Sequence, residues 1–395
     1  MKQIALLFWL ISSVALATEF DYILKLANEG DTEAQFQLGL AYASGEVVSE
    51  DSLKAIEWYQ KAAQQDHVEA QYNLAVLNHN LGNPKSLENA FNWCLKAAEN
   101  GHFLAQYDLS GMYLGGRGTQ QDVKGGIKWL TKSAESGYDE AQFILGGLYM
   151  VGSYVLKNDE ESRKWHLKAA QQGHVKAQHD LALSHYLLNT PEDDKRATHW
   201  FLKSAQQGLA DAQHMLGYLY IIGNRGLPLN YTESFKWSLK AAEQGYALSQ
   251  YVVSDVYAIG MVVPKDYKKS IDWLLKAANQ GLVEAQVKLG SIYFDGLIGR
   301  PTNRKEAHKW YLRAAQQGHI EAQVTLGWMY DFGNGVSKDT ITSYVWYSVA
   351  KMLDEQNMES IEAIEDLEVR MTDQQIAEGK KRAQKCFESN YKDCD

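Results

Sequence analysis

Ala34-Gln35-Phe36-Gln37-Leu38-Gly39-Leu40-Ala41-Tyr42, followed after a glycine-bearing loop by Lys54-Ala55-Ile56-Glu57-Trp58-Tyr59-Gln60-Lys61-Ala62-Ala63, decides the fold of this 395-residue chain. In the first part Ala34, Leu38, Ala41 and Tyr42 fall at helical spacing and make one apolar stripe; in the second, Ala55, Trp58, Ala62 and Ala63 do the same. Two helices joined by a loop are therefore expected. The pair then returns. Tryptophan stands at Trp58, Trp93, Trp129, Trp165, Trp200, Trp237, Trp273, Trp310 and Trp346, never less than 35 nor more than 37 residues apart. A glutamine keeps the same beat at Gln35, Gln71, Gln106, Gln142, Gln178, Gln213, Gln250, Gln286 and Gln323. Such a beat reads as stacked supersecondary repeats, each covering the apolar face of its neighbour.

The spacing separates a rigid joint from a variable one. Each of the first eight ladder tryptophans is followed 13 residues later by the next glutamine, whereas the step from a glutamine to its own tryptophan takes 22, 23 or 24 residues. All length variation therefore lies in the loop inside each repeat. Seven residues before each tryptophan stand Asp51, Ser86, Asp122, Asn158, Asp193, Asn230, Asp266, Asn303 and Asp339, side chains suited to cap a helix start. Eight residues after it, glycine fills seven of nine places, as a left-handed residue past a helix end requires. The residue after the first-helix leucine is always small (Gly39, Ala75, Ser110, Gly146, Ala182, Gly217, Ser254, Gly290, Gly327), which predicts close backbone approach by a neighbouring helix.

The two ends differ from the array. Lys2, the apolar run Ile4 to Val14 and Ala15-Leu16-Ala17 form a signal-peptide pattern, with cleavage expected after Ala17. Residues 18–30 read as an N-terminal half-repeat, 31–353 as the array, and 354–395 as a C-terminal helical cap and tail, within which Thr372 and Gln375 make a capping-box pattern. No transmembrane segment is expected after leader removal, and a periplasmic or secreted location follows. The net charge of −10, one unit more negative without Lys2, argues against nucleic acid as a partner. Cys386 and Cys394 would pair in an oxidising compartment, the alternative being two free thiols in a frayed tail. Cys94, just after Trp93, reads as a small buried hydrophobe.

Ala-Gln-x-x-Leu-Gly-x-x-Tyr from Ala34 and Lys-Ala-x-x-Trp-x-x-Lys-Ala-Ala from Lys54 resemble the Sel-one-like repeat (SLR) family, relatives of the tetratricopeptide solenoids. The resemblance runs from about Phe20 to Ala350. It implies an all-α fold: a right-handed superhelical solenoid of about nine helix-pair repeats, with an N-terminal half-repeat and C-terminal capping helices. It also implies a protein-binding scaffold, with exported bacterial members similar to factors in envelope signalling or host-cell contact. The tail from Cys386 to Cys394 looks like the ends of some exported members. Relatives with two cysteines in every repeat have been linked to β-lactam binding or hydrolysis, so a cell-wall or β-lactam-processing enzyme is the alternative; the repeated cysteine pairs are missing here.

Candidate chemistry is sparse. Ser348-x-x-Lys351 and Ser389-x-x-Lys392 match a serine–lysine pattern, but no Lys-Thr-Gly accompanies them. His174, His179 and His185 are the densest histidines, without His-Glu-x-x-His or Cys-x-x-Cys spacing, and His67, His102, His174 and His319 share one repeat column, which points to structure. Neither metal nor cofactor is therefore expected, and no catalytic residue is assigned. A binding surface is sought instead in a column that varies while its neighbours stay fixed. That column is Leu40, Val76, Gly111, Gly147, Leu183, Tyr218, Asp255, Ser291 and Trp328, of which Tyr218, Asp255 and Trp328 are the candidate contacts for a protein or peptide partner, expected on the concave face and loop edge of the array. A second column, Phe36, Tyr72, Tyr107, Phe143 and Tyr251, is assigned mainly to packing between repeats.

Overall fold

The computed structural model describes residues 19–223 and 225–394, so the expected leader at 1–17 lies outside the described residues. Among them every regular element is a helix. A helix at residues 19–28 precedes nine helix pairs, from Thr32–Ser44 with Ser52–Gln64 to Ile320–Phe332 with Thr340–Leu353. Two further helices, Met358–Arg370 and Asp373–Glu388, close the chain. Packing divides the molecule into a compact part ending at Ser184 and another beginning at His185.

The rigid joint has a single cause. In all nine repeats the recurrent glutamine donates its side-chain amide to the carbonyl eight residues upstream: Gln35 to Ala27, Gln71 to Ala63, Gln106 to Ala98, and so on to Gln323 with Ala315, at 2.9–3.2 Å. The acceptor is one of the last carbonyls of the preceding helix, which has no intrahelical partner of its own. A bond of fixed reach thus spans the joint and forbids insertion. The glutamine oxygen in turn accepts from the end of the second helix of its own repeat, as in Gln65 to Gln35, Asn100 to Gln71 and Gln172 to Gln142 in the first part, and Gln244 to Gln213, Gln280 to Gln250 and Gln317 to Gln286 in the second. Buried amides therefore link repeat to repeat within each part.

The variable loop is held more loosely. Among the described residues eight first helices end on a left-handed glycine, and in seven of them, including those ending on Gly45 and Gly296, the tyrosine three residues earlier accepts from the cap residue of the second helix, as Tyr42 does from Asp51 and Tyr293 from Asn303. One backbone bond leaves room for an extra residue in between.

Two expectations need correction. In the second and fifth repeats the helix starts one turn before the assigned cap, because Pro84 and Pro191 occupy its first turn. Asn83 and Thr190 are the caps; Ser86 and Asp193 lie inside the helices and their backbone N–H groups donate to those caps. The small column, moreover, makes room mostly for a ring, and the expected backbone approach is seen at Gly217, where a Cβ would sit 3.2 Å from the Ser234 carbonyl. A Cβ on Gly290 would sit 2.8 Å from the ring of Tyr311, one on Gly327 2.9 Å from Tyr347, and Gly39 and Gly146 face Tyr59 and His166 as closely. Each of those rings belongs to the residue just after a ladder tryptophan.

The ladder itself is half interior. Trp129, Trp165, Trp200, Trp310 and Trp346 are buried, while Trp58, Trp93, Trp237 and Trp273 keep one edge in solvent. Over the first eight rings lies the cation three residues on, from Lys61 over Trp58 to Arg313 over Trp310, at 3.7–4.9 Å from the ring centre. Val349 takes that place after Trp346, which the tail covers completely together with Ala383, Cys386 and Cys394. Cys386 and Cys394 form a disulfide, Thr372 and Gln375 a reciprocal capping box, and Arg370 a two-pronged bond to Asp331 at 2.9 and 3.0 Å.

Candidate partner-binding surface

Most recurrent polar side chains are spent on holding the repeats together. His67, His102, His174 and His319 each accept from the amide three residues on, capping the next first helix through Nδ1. The opposite nitrogen of the first three meets a glutamate of the preceding repeat, Glu33, Glu69 or Glu140, at 2.9–3.3 Å. Phe36, Tyr72 and Phe143 stack on these imidazoles at 4.3–4.6 Å, so the regular aromatic column does pack between repeats. His179 pairs with Asp180, and His185 with Asp193. Among the described residues no group of three or more His, Cys, Asp or Glu side chains is placed to hold a metal. Ser348 is buried in its helix, while Lys351 is exposed.

The variable column fares differently. Tyr218 is 46% exposed. Asp255 forms an ion pair with Lys288 of the next repeat, and Lys288 also lies over the ring of Tyr251 at 4.9 Å. Trp328 is partly buried, edge-on to Phe294 at 5.6 Å and tilted over Phe332 at 5.2 Å, so part of its surface is used within the chain. Apolar side chains also stand out along the loops: Val151, Tyr154 and Leu156 in the first part, and Leu229, Ile259, Met261 and Phe332 in the second.

The column also produces a cavity that the sequence reading missed. A space of about 510 Å³ opens within the first part, walled by Tyr72, Tyr107 and Tyr154, floored by aliphatic side chains including Leu130, Ile144 and Leu148, and bordered by His79, Asp108 and Arg117. Val76 and Gly111, two members of the variable column, line it, and a Cβ on Gly111 would meet nothing within 4 Å. The Tyr72 hydroxyl donates to Asp108 Oδ2 at 3.0 Å. Burial raises the Asp108 carboxyl above its usual range, although His79, His102 and Arg117 pull the other way. Cys94 also lines the cavity; its thiol donates to the Ala105 carbonyl and burial pushes its pKa up to about 12, so it is a poor nucleophile. The signal in the sequence was Gly111 itself, the first member of the column without a side chain.

Helix pairs of this kind, joined by side-chain amides and differing mainly in one half-exposed column, define an α-solenoid of the tetratricopeptide-related class. The Sel1 repeat model matches nine times, at residues 32–67, 68–102, 104–138, 139–174, 175–209, 210–246, 247–282, 283–319 and 320–354; the chain belongs to the Sel1 repeat family. A Sel1 repeat protein from Oxalobacter formigenes is similar in structure, with 30% identity over 80% of this chain and 92% of that one and a TM-score of 0.65. A protective antigen present in uropathogenic Escherichia coli strains, displaying an SLR fold, is 26% identical over 95% of this chain and 96% of that one, with a TM-score of 0.52. No curated protein matches the chain. Sel1 repeat proteins are typically protein-interaction scaffolds. Among the described residues no helix is long and apolar enough to cross a membrane.

Proposed function

We propose that this chain is an exported, non-catalytic scaffold that holds a protein or peptide partner along the variable column of its first helices and its loop edge, in envelope signalling or host-cell contact. The observation that carries this is the division of labour between columns. Glutamines, caps and histidines are consumed in the joints, while the variable column leaves Tyr218 half in solvent and the loops expose Leu229, Ile259 and Met261. Export is supported by the leader pattern of Lys2, Ile4 to Val14 and Ala15-Leu16-Ala17, and by the paired Cys386 and Cys394. Likeness to an antigen of a pathogenic strain supports the same location.

Tyr218, Asp255 and Trp328 are the contact residues. Tyr218 is the most informative of the three, because its exposed ring can be removed without opening a core. Crosslinking to envelope or host-cell fractions and mass spectrometry should recover one partner, and Tyr218→Ala should weaken its capture by tenfold or more. Capture unchanged in Tyr218→Ala, Asp255→Ala and Trp328→Ala would remove the proposed surface. A stoichiometric serine adduct with labelled penicillin would replace the scaffold by an enzyme.

A further inference from the structure

The cavity around Gly111 has a counterpart elsewhere in the chain. Trp328 occupies in the ninth repeat the register that Gly111 holds in the third, and Phe294, on which Trp328 packs, occupies the register of His79 in the second. His79 and Gly111 both line the open space. Where the chain supplies its own indole in one place, it leaves a void in the other.

The lining restricts what can fill that void. About 510 Å³ is within the range of pockets that hold small organic groups, and roughly 150 Å³ suffices for one benzene, so a two-ring system fits. Three tyrosines and the aliphatic floor favour an aromatic body. Asp108 adds one polar requirement. Its Oδ2 is taken by Tyr72, whereas among the described residues Oδ1 accepts no hydrogen bond, so an occupant gains by donating there. Arg117 already places positive charge beside this carboxylate, which disfavours a cationic occupant and favours a neutral N–H or O–H.

We propose that the cavity bordered by Tyr72, Asp108 and Gly111 seats a large aromatic side chain with a hydrogen-bond donor, an indole or phenol ring presented by the protein partner. This rests on the scaffold reading and names the chemistry that one part of it recognises. The ring stands where Trp328 stands in the ninth repeat and donates to Asp108.

The test uses the full chain and N-acetyltryptophanamide as probe, with binding followed by NMR titration. Chemical-shift changes are expected at Asp108 and Gly111, with affinity at least fivefold above that of N-acetylphenylalaninamide, which lacks the donor. Gly111→Leu should abolish binding while helical signal and melting temperature are retained, since the new side chain enters open space. Asp108→Asn, an isosteric control, should reduce the preference for the donor-bearing ring. Equal binding to wild type and Gly111→Leu, equal affinity for the phenylalanine amide, or a preference for N-acetyllysinamide would each overturn the proposal. So would self-association that Gly111→Leu abolishes, which assigns the cavity to a second copy. The scaffold reading would survive any of these, because its own test lies at Tyr218.

Discussion

Gly146 and Gly147 are neighbours in one helix, yet their substitution by alanine should act in opposite directions. A Cβ on Gly146 would run into the His166 ring, while one on Gly147 meets nothing within 4 Å. Alanine gains close to 1 kcal/mol of helix propensity at either site, but crowding at Gly146 costs about 1 to 3 kcal/mol. Urea denaturation should therefore show Gly147→Ala stabilised and Gly146→Ala destabilised. His166 carries a second prediction. Burial lowers its pKa below the ordinary value, so between the folded and unfolded values the unfolded chain binds more protons. Its contribution is complete above the unfolded value of about 6.5 and is lost as the pH falls through the folded one. His214, also lowered by burial, adds in the same direction. His166→Tyr, the residue that faces glycine at Tyr59, Tyr311 and Tyr347, should reduce the loss of stability between pH 7.5 and pH 5 in urea melts without abolishing it.

At the scale of the helix, proline moves the cap. Pro84 pins the first turn of Pro84–Glu99, and Asn83 accepts from the Ser86 amide at 2.9 Å, so the start of the helix depends on Asn83 rather than on Ser86. Asn83→Ala should cost about 1 kcal/mol. Ser86→Ala should cost clearly less, because it removes only a hydroxyl bond to the Asn83 carbonyl. Chemical denaturation of the two variants would decide between them, and the reverse order would return the cap to the column inferred from spacing alone.

At the scale of the molecule the last repeat depends on what covers it. Trp346 is fully buried because Ala383, Cys386 and Cys394 pack with it, and the disulfide holds the last turn of the chain against that cluster. Closing so short a loop contributes roughly 2.5 kcal/mol on the chain-entropy account. Reductant should accordingly lower the melting temperature of the wild type and leave the Cys386→Ser, Cys394→Ser double variant unchanged. A wild-type transition insensitive to reductant would separate the tail from the stability of the array.

The repeat was legible because its markers are periodic. A tryptophan, a glutamine and a glycine returning on one beat require helix pairs whatever surrounds them, and the constant 13-residue step already located the rigid joint. What the step could not reveal was its cause, the glutamine amide reaching a carbonyl eight residues back, since that depends on how two helices turn past each other. The cap shifts at Pro84 and Pro191 broke the column locally, where proline chemistry outweighs register. The cavity was beyond sequence reading for a different reason. Gly111 is visible as a missing side chain, but whether Tyr72, Leu148 and Tyr154 close over that gap or leave it open is decided only by the packing of successive repeats.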